Sequence, residues 1–193
     1  MGDAGAWNAR KHEVALELES LGSEALARFA GLSSEQLGWT PAAGRWGVAQ
    51  CFAHLIATQT PYIEQFARLT AKGHNPSTWE RLSPFSGFFG RMVINGVRPE
   101  NTNKVKTLKK FDPVAGTGDV TVIPRFADNQ NALAAAVRHL PSEPDFGRKV
   151  ITSRLSSFVT YSLDDCLTLL VLHGRRHYRQ AEEVTRSPGF PAG

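Results

Sequence analysis

The feature that most constrains this chain lies near its C-terminus. Leu163, Cys166, Leu170, His173, His177, Gln180 and Val184 follow one another at steps of three, four, three, four, three and four. That spacing keeps all of them on one stripe of an α-helix, and a helix written this way must bury the stripe against a partner. Ser162, in "SLDD", offers an N-cap hydroxyl with Asp165 three residues on, and Ser187, Pro188 and Gly189 close the pattern. His173 and His177 therefore point into the protein, whereas Arg175, Arg176 and Arg179 fall elsewhere around the helix, at the rim.

A seam needs other helices, and the pattern supplies them. Val14, Leu18, Leu21, Ala25 and Phe29 mark a first amphipathic helix that ends near Gly31. After the loop "GLSSEQLGWTPAAGRWG", a second begins near Trp46 or Gly47 and carries Val48, Phe52, Leu55, Tyr62, Phe66 and Leu69 on its inward stripe. Pro61 should bend it, because proline cannot donate to the carbonyl of Ala57. An alanine-rich third helix spans about Asn129 to Leu140 and stops before Pro141. Between Gly73 and Phe126 the periodicity fades, with prolines at 76, 84, 99, 113 and 124 and one short helix expected over Phe88 to Asn95. A crossover of that length is a candidate wall or lid for a pocket. The expected fold class is all-α: a four-helix bundle with a long irregular crossover insertion, residues 73–126, between helices 2 and 3, forming a single domain over residues 1–193.

Composition narrows the function classes. No run approaches eighteen apolar residues, and the start "MGDAGAWNARKHEV" lacks a basic and an apolar leader region, so the expectation is a soluble, cytoplasmic protein with no membrane partner. Only Cys51 and Cys166 are present, each within an apolar pattern, and they read as reduced, buried thiols rather than a disulfide framework. With 22 basic against 18 acidic residues, the net charge of +4 is a small imbalance. The densest basic stretch, "NKVKTLKKFD" from Asn103 to Asp112, brings one aromatic residue and no recognition-helix pattern, so it reads as a solvated loop and nucleic acid is not an expected partner.

The chemistry rests on the histidines. A pair at i and i+4 puts two imidazoles one turn apart on one face, where both can reach a single divalent cation. Two ligands are incomplete, and the best third candidate is His54, in "VAQCFAHLIATQ" on the second helix. Three neutral imidazoles would leave a coordination position open for water or substrate, as catalytic sites do. Periodicity alone leaves hydrogen-bonded core histidines an equal alternative. Cys166 shares the stripe of His173, and Cys51 lies three residues before His54, so either thiol is a further ligand candidate; His12, His74 and His139 receive no role.

The stretch "GWTPAAGRWGVAQCFAHL" is similar to the tryptophan-led start of a histidine-bearing second helix in the DinB-like, or YfiT-like, superfamily of metalloenzymes. The stretch "SLDDCLTLLVLHGRRHYRQAEEV" resembles that superfamily's last helix, with its H-x-x-R-H-x-x-Q. Matched residue by residue, the resemblance implies metal ligands at His54, His173 and His177. It also implies a divalent cation as cofactor, zinc or nickel foremost, and a four-helix bundle of the kind that often forms homodimers. The superfamily includes thiol-dependent transferases and isomerases that use bacillithiol or mycothiol. The resemblance thus implies a small-molecule substrate, a low-molecular-weight thiol activated at the open position. In that reading Arg176 and Gln180 are candidates for supporting hydrogen bonds, with a solvent-facing Arg176 an equal alternative. A metal-dependent hydrolase, or a non-catalytic metal-stapled binding or stress-response module, is the alternative. Gly47 stands where the family often has serine, which leaves the cap of the second helix in question.

Overall fold

The computed structural model describes residues 3–71, 77–83, 86–97, 118–154 and 156–193. Its helices are α1 (Ala4–Phe29), α2 (Ser34–Gly38), α3 (Val48–Thr70), α4 (Thr78–Leu82), α5 (Ser86–Val97), α6 (Val122–Arg138) and α7 (Leu163–Thr185), and its strands are β1 (Val150–Thr152) and β2 (Thr160–Ser162). The chain is mostly helical, as expected of the all-α class, with one two-stranded antiparallel ribbon that the sequence reading did not anticipate.

The four long helices are those the apolar stripes pick out. Val14, Leu18, Leu21, Ala25 and Phe29 of α1, and Val48, Phe52, Leu55, Tyr62, Phe66 and Leu69 of α3, are all buried. α1 packs on α6 and α7, and α3 packs on the same two. Cross-contacts give their directions. Arg10 pairs with Asp164 and Arg175 with Glu24, so α1 and α7 run the same way. Tyr62 meets Tyr161 ahead of α7 while His54 meets His173 within it, so α3 opposes α7. Phe52 touches Phe126 and Gln59 touches Gln130, which makes α3 and α6 parallel. Two successive long helices that run in parallel need a connection returning the chain along their full length, and the insertion supplies it.

Within the described residues of the insertion, two helices precede α6. α4 was not expected; its N-cap Ser77 and Glu80 form a reciprocal capping box. α5 covers the expected 88–95 and extends beyond it, packing on α7 and β2. α6 begins at Val122, seven residues before the expected Asn129, because Pro124 sits in its first turn, where no intrahelical donor is required. α3 likewise runs through Pro61, and the carbonyl of Ala57 left without its donor belongs to an exposed residue that water can serve. The lysine-rich stretch 103–112 lies outside the described residues.

The ribbon occupies the stretch before α7 that reads as irregular. Its period-2 signal spans only three residues per strand, and tertiary bonds hold it: Gln65 Nε2 donates to the Thr152 carbonyl at 3.0 Å, the Thr152 N–H donates to Glu80 at 2.9 Å, and the Tyr62 and Tyr161 hydroxyls meet at 2.6 Å. Tyr161 and Ile151 bury their side chains between the ribbon and the helices.

The apolar interior falls into two clusters. One holds Leu18, Tyr62, Leu133 and Leu170; the other holds Leu21, Leu55, Phe126 and Ala181. On α3, α6 and α7 the residues between the two sets are polar: Gln59, Gln130, and the pair His173 and His177. Gln130 Nε2 donates to Gln59 Oε1 at 2.7 Å, and Gln59 Nε2 donates to the Leu170 carbonyl at 3.1 Å, so this layer is hydrogen-bonded at its centre.

Candidate metal centre

α3 and α7 build the site. On α7, Ser162 accepts from the Asp165 N–H at 3.0 Å, which starts the helix where the sequence places the cap and so fixes the phase of His173 and His177. On α3, the cap position is Gly47, whose N–H donates to Gln50 Oε1 at 3.0 Å. A Cβ on Gly47 would lie 2.3 Å from the Trp39 carbonyl oxygen, a backbone atom. Glycine is thus required where the chain passes over the Trp39–Trp46 loop, and Gln50 supplies half of a capping box in place of a cap hydroxyl.

With both helices in register, His54, His173 and His177 converge, each offering a ring nitrogen within 4.8 Å of the others. His54 Nε2 and His173 Nε2 are 3.3 Å apart. Two imidazole nitrogens bound tetrahedrally to one cation at about 2.1 Å would stand about 3.4 Å apart, so this pair already has the separation a shared ion needs. His177 donates from Nδ1 to Gln180 Oε1 at 3.0 Å. An amide oxygen only accepts, so the proton sits on Nδ1 and the Nε2 lone pair is left for a ligand. The indole of Trp46 stacks on His177 at 5.5 Å between ring centres and tilts against His54 at 4.8 Å, closing one side of the cluster.

The electrostatics suit a cation held by neutral rings. His54 and His177 are buried and His173 is half-buried. Burial, reinforced by His177, His54 and Arg176, holds His173 well below the usual imidazole range. Burial, with help from His54 and Arg176 and against the Gln180 bond, brings His177 down to about 3. Both rings are neutral at pH 7, the form that ligates metal. The three side chains therefore fit the donor set of a borderline divalent cation: three imidazoles, two of them held neutral, and one ring already oriented through its far nitrogen.

The thiols do not join them. Cys51 and Cys166 are free, buried and outside the cluster, and burial raises both well above the usual thiol range, so the reading of either as a ligand is corrected: each is core filler. His12 and His139 are exposed, and His74 lies outside the described residues.

A sequence profile of the DinB superfamily matches residues 17–181, which takes in the second half of α1, all of α3 and α6 and nearly all of α7. The chain belongs to the DinB superfamily. No curated protein and no solved structure matches it. The match spans all three histidines of this DinB-superfamily chain, and the three could hold a metal ion. Among the described residues no helix is long and apolar enough to cross a membrane.

The sequence reading did not find Trp46 as part of the site. Its place beside the motif was visible, but its stacking on His177 depends on the loop crossing that Gly47 permits. The arginines divide between two tasks. Arg175 bridges Glu17 and Glu24 of α1, while Arg176, half-buried rather than on an open rim, donates from Nη1 to the Gly96 carbonyl at the end of α5 at 2.9 Å.

Proposed function

We propose that this chain is a metal-dependent enzyme in which His54, His173 and His177 hold one divalent cation, zinc or nickel. In this reading the remaining coordination position takes a small-molecule substrate, a low-molecular-weight thiol, for S-transfer or isomerisation. The observation that carries the reading is the convergence of three imidazoles from two helices, with two ring nitrogens 3.3 Å apart. Three protein ligands rather than four is the pattern of a catalytic site. The long helices form one four-helix bundle domain over residues 1–193, a reading supported by their ring of pairwise contacts, α1 to α6 to α3 to α7 and back.

A cation of this kind lowers the pKa of a thiol or water and so supplies a nucleophile at neutral pH. The protein's own groups do the rest. Gln180 keeps the His177 proton on Nδ1. Trp46 covers two of the rings and excludes water from that side.

The test is elemental analysis of the purified chain, which should find about one divalent metal per chain. His173→Ala should lose the metal while circular dichroism keeps its helical signal, because the stripes of α1, α3 and α6 supply most of the packing. A wild-type chain that cannot be loaded with zinc or nickel overturns the metal assignment. A loaded chain that shows no metal-dependent turnover of any thiol with an electrophile, across a broad panel, overturns the thiol reading.

A further inference from the structure

After α7 the chain turns back onto the loop that carries Trp46. The Ser187 N–H donates to the Val184 carbonyl at 3.1 Å and the Phe190 N–H to the Ser187 carbonyl at 3.1 Å, with Gly189 between them at a φ of 84°, a left-handed conformation that glycine adopts without strain. That reversal sets the Phe190 ring in a T-shaped pair with the indole of Trp39, 5.5 Å between centres and 86° between planes. A second bond holds the segment. Gln36 Nε2 of α2 donates to the Pro191 carbonyl at 3.1 Å, while Gln36 Oε1 accepts the Ser33 N–H in the capping box of α2. Phe190 and Pro191 are half-buried and Gln36 is buried, so residues 187–191 are docked on α2 and Trp39 rather than extended into solvent.

Trp39 leads directly to the triad. A Cβ on Gly47 would stand 2.3 Å from the Trp39 carbonyl oxygen, so the backbone at Gly47 packs straight onto that carbonyl. Between the two the chain makes a tight turn, with the Arg45 N–H donating to the Ala42 carbonyl at 3.0 Å and Gly44 at a φ of 72°. Trp46, the residue before Gly47, stacks on His177 at 5.5 Å and leans on His54 at 4.8 Å. The contacts close a circuit: α7 supplies His177 and the segment that follows it, that segment grips Trp39, Trp39 supports Gly47, and Trp46 returns to His177. Trp46 is itself half-buried, so its place depends on the contacts that hold its loop.

We propose that Phe190 is a positioning residue of this centre: by anchoring Trp39 it holds the Trp46 indole over His54 and His177, and so sets how closed the triad is on that side. The consequence for a bound cation rests on the triad being a metal site, whereas the consequence for Trp46 does not. An aromatic pair of this geometry shifts the equilibrium between a held and a released indole by about two- to tenfold. Release opens the two imidazoles to water and to competing ligands from the indole side.

The test labels the whole chain with 5-fluorotryptophan and reads its four tryptophans by fluorine-19 NMR, with Trp46→Phe assigning the signal of Trp46. In Phe190→Ala the signals of Trp39 and Trp46 should move toward their positions in the denatured chain, while those of Trp7 and Trp79 stay. The same variant loaded with zinc should give up its metal to a chelator about two- to tenfold faster than wild type. Made on top of Trp46→Ala, Phe190→Ala should leave the release rate unchanged, because the indole through which it acts is gone; a general loss of stability would add in full. Should Phe190→Ala unfold the chain and move all four signals, Phe190→Leu, which keeps apolar bulk and loses the ring contact, reads the same displacement at Trp39 and Trp46. A Trp46 signal that stays in place overturns the positioning role, as does an equal acceleration of metal release with and without Trp46. A chain whose Trp46 signal moves but that cannot be loaded with zinc keeps the positioning role and overturns the metal site instead.

Discussion

Replacing Gln180 with leucine tests the centre through a residue that touches no metal. In the native chain His177 Nδ1–H donates to Gln180 Oε1 at 3.0 Å, and this bond holds the Nε2 lone pair toward His54 and His173. Leucine removes the acceptor and keeps water from replacing it. His177, buried and neutral, then has two choices. It can keep the proton on Nδ1 with no partner, at a cost of about 1–3 kcal/mol. Alternatively it can move the proton to Nε2, the atom the proposed cation would take, and binding must then reverse that shift. The first route costs the metal-free and loaded chains alike and so lowers stability, whereas the second weakens metal affinity by up to about 5- to 150-fold at 1.4 kcal/mol per factor of ten, the range expected for the outer partner of a ligating histidine. Gln180→Ala should cost less, because Gln180 is half-buried and the smaller side chain admits a water to the vacated acceptor position. The assay is zinc competition against a chromophoric chelator, paired with nitrogen-15 NMR of the His177 ring in the metal-free chain. A leucine variant that binds zinc within about twofold of wild type, its ring still protonated on Nδ1, would refute the claim that Gln180 sets the tautomer.

Three further outcomes follow from the same geometry. Gly47→Ser, which restores the residue the family often carries there, should destabilise the chain by about 1–3 kcal/mol, since its Cβ would lie 2.3 Å from the Trp39 carbonyl; thermal melts should show a fall of about 2–4 °C per kcal/mol, and an unchanged melt would mean that the loop yields freely. The metal-free chain should lose stability as pH falls below the ordinary histidine value of 6.5 toward about 3, because there the unfolded chain takes up a proton that folded His177 refuses. The slope from this one group is at most about 1.4 kcal/mol per pH unit, with the stability fully present above pH 6.5, and His177→Ala should lack it; equal urea-midpoint slopes in both chains between pH 7 and 5 would contradict the depressed value. Cys51 and Cys166, fully buried and held protonated, should not react with a thiol reagent until denaturant unfolds the chain, and rapid labelling of either in the native state would remove it from the core.

What the sequence made legible is what period and caps encode. The stripe from Leu163 to Val184 and the cap at Ser162 together set the phase of α7, and phase alone brings His173 and His177 to the seam. His54 could be chosen as the third ligand because α3 has an equally clear stripe. Elements that tertiary contacts create were not legible. β1 and β2 are too short to show a period-2 pattern, and Gln65, Glu80 and Tyr62 hold them from distant parts of the chain. The start of α6 was hidden by Pro124, because a proline reads as a breaker unless the first turn is already located. Trp46 and Arg176 are the instructive cases. Each is adjacent in sequence to a feature that was recognised, yet each gains its role from a chain crossing: Trp46 from the loop that passes Gly47, and Arg176 from α5 lying against α7. Periodicity assigns a residue to a face, but which of two faces becomes the approach to a site depends on which element covers the other. In this chain that element is α5, a short helix from the part of the sequence with the weakest pattern, which lies against α7 beside Arg176.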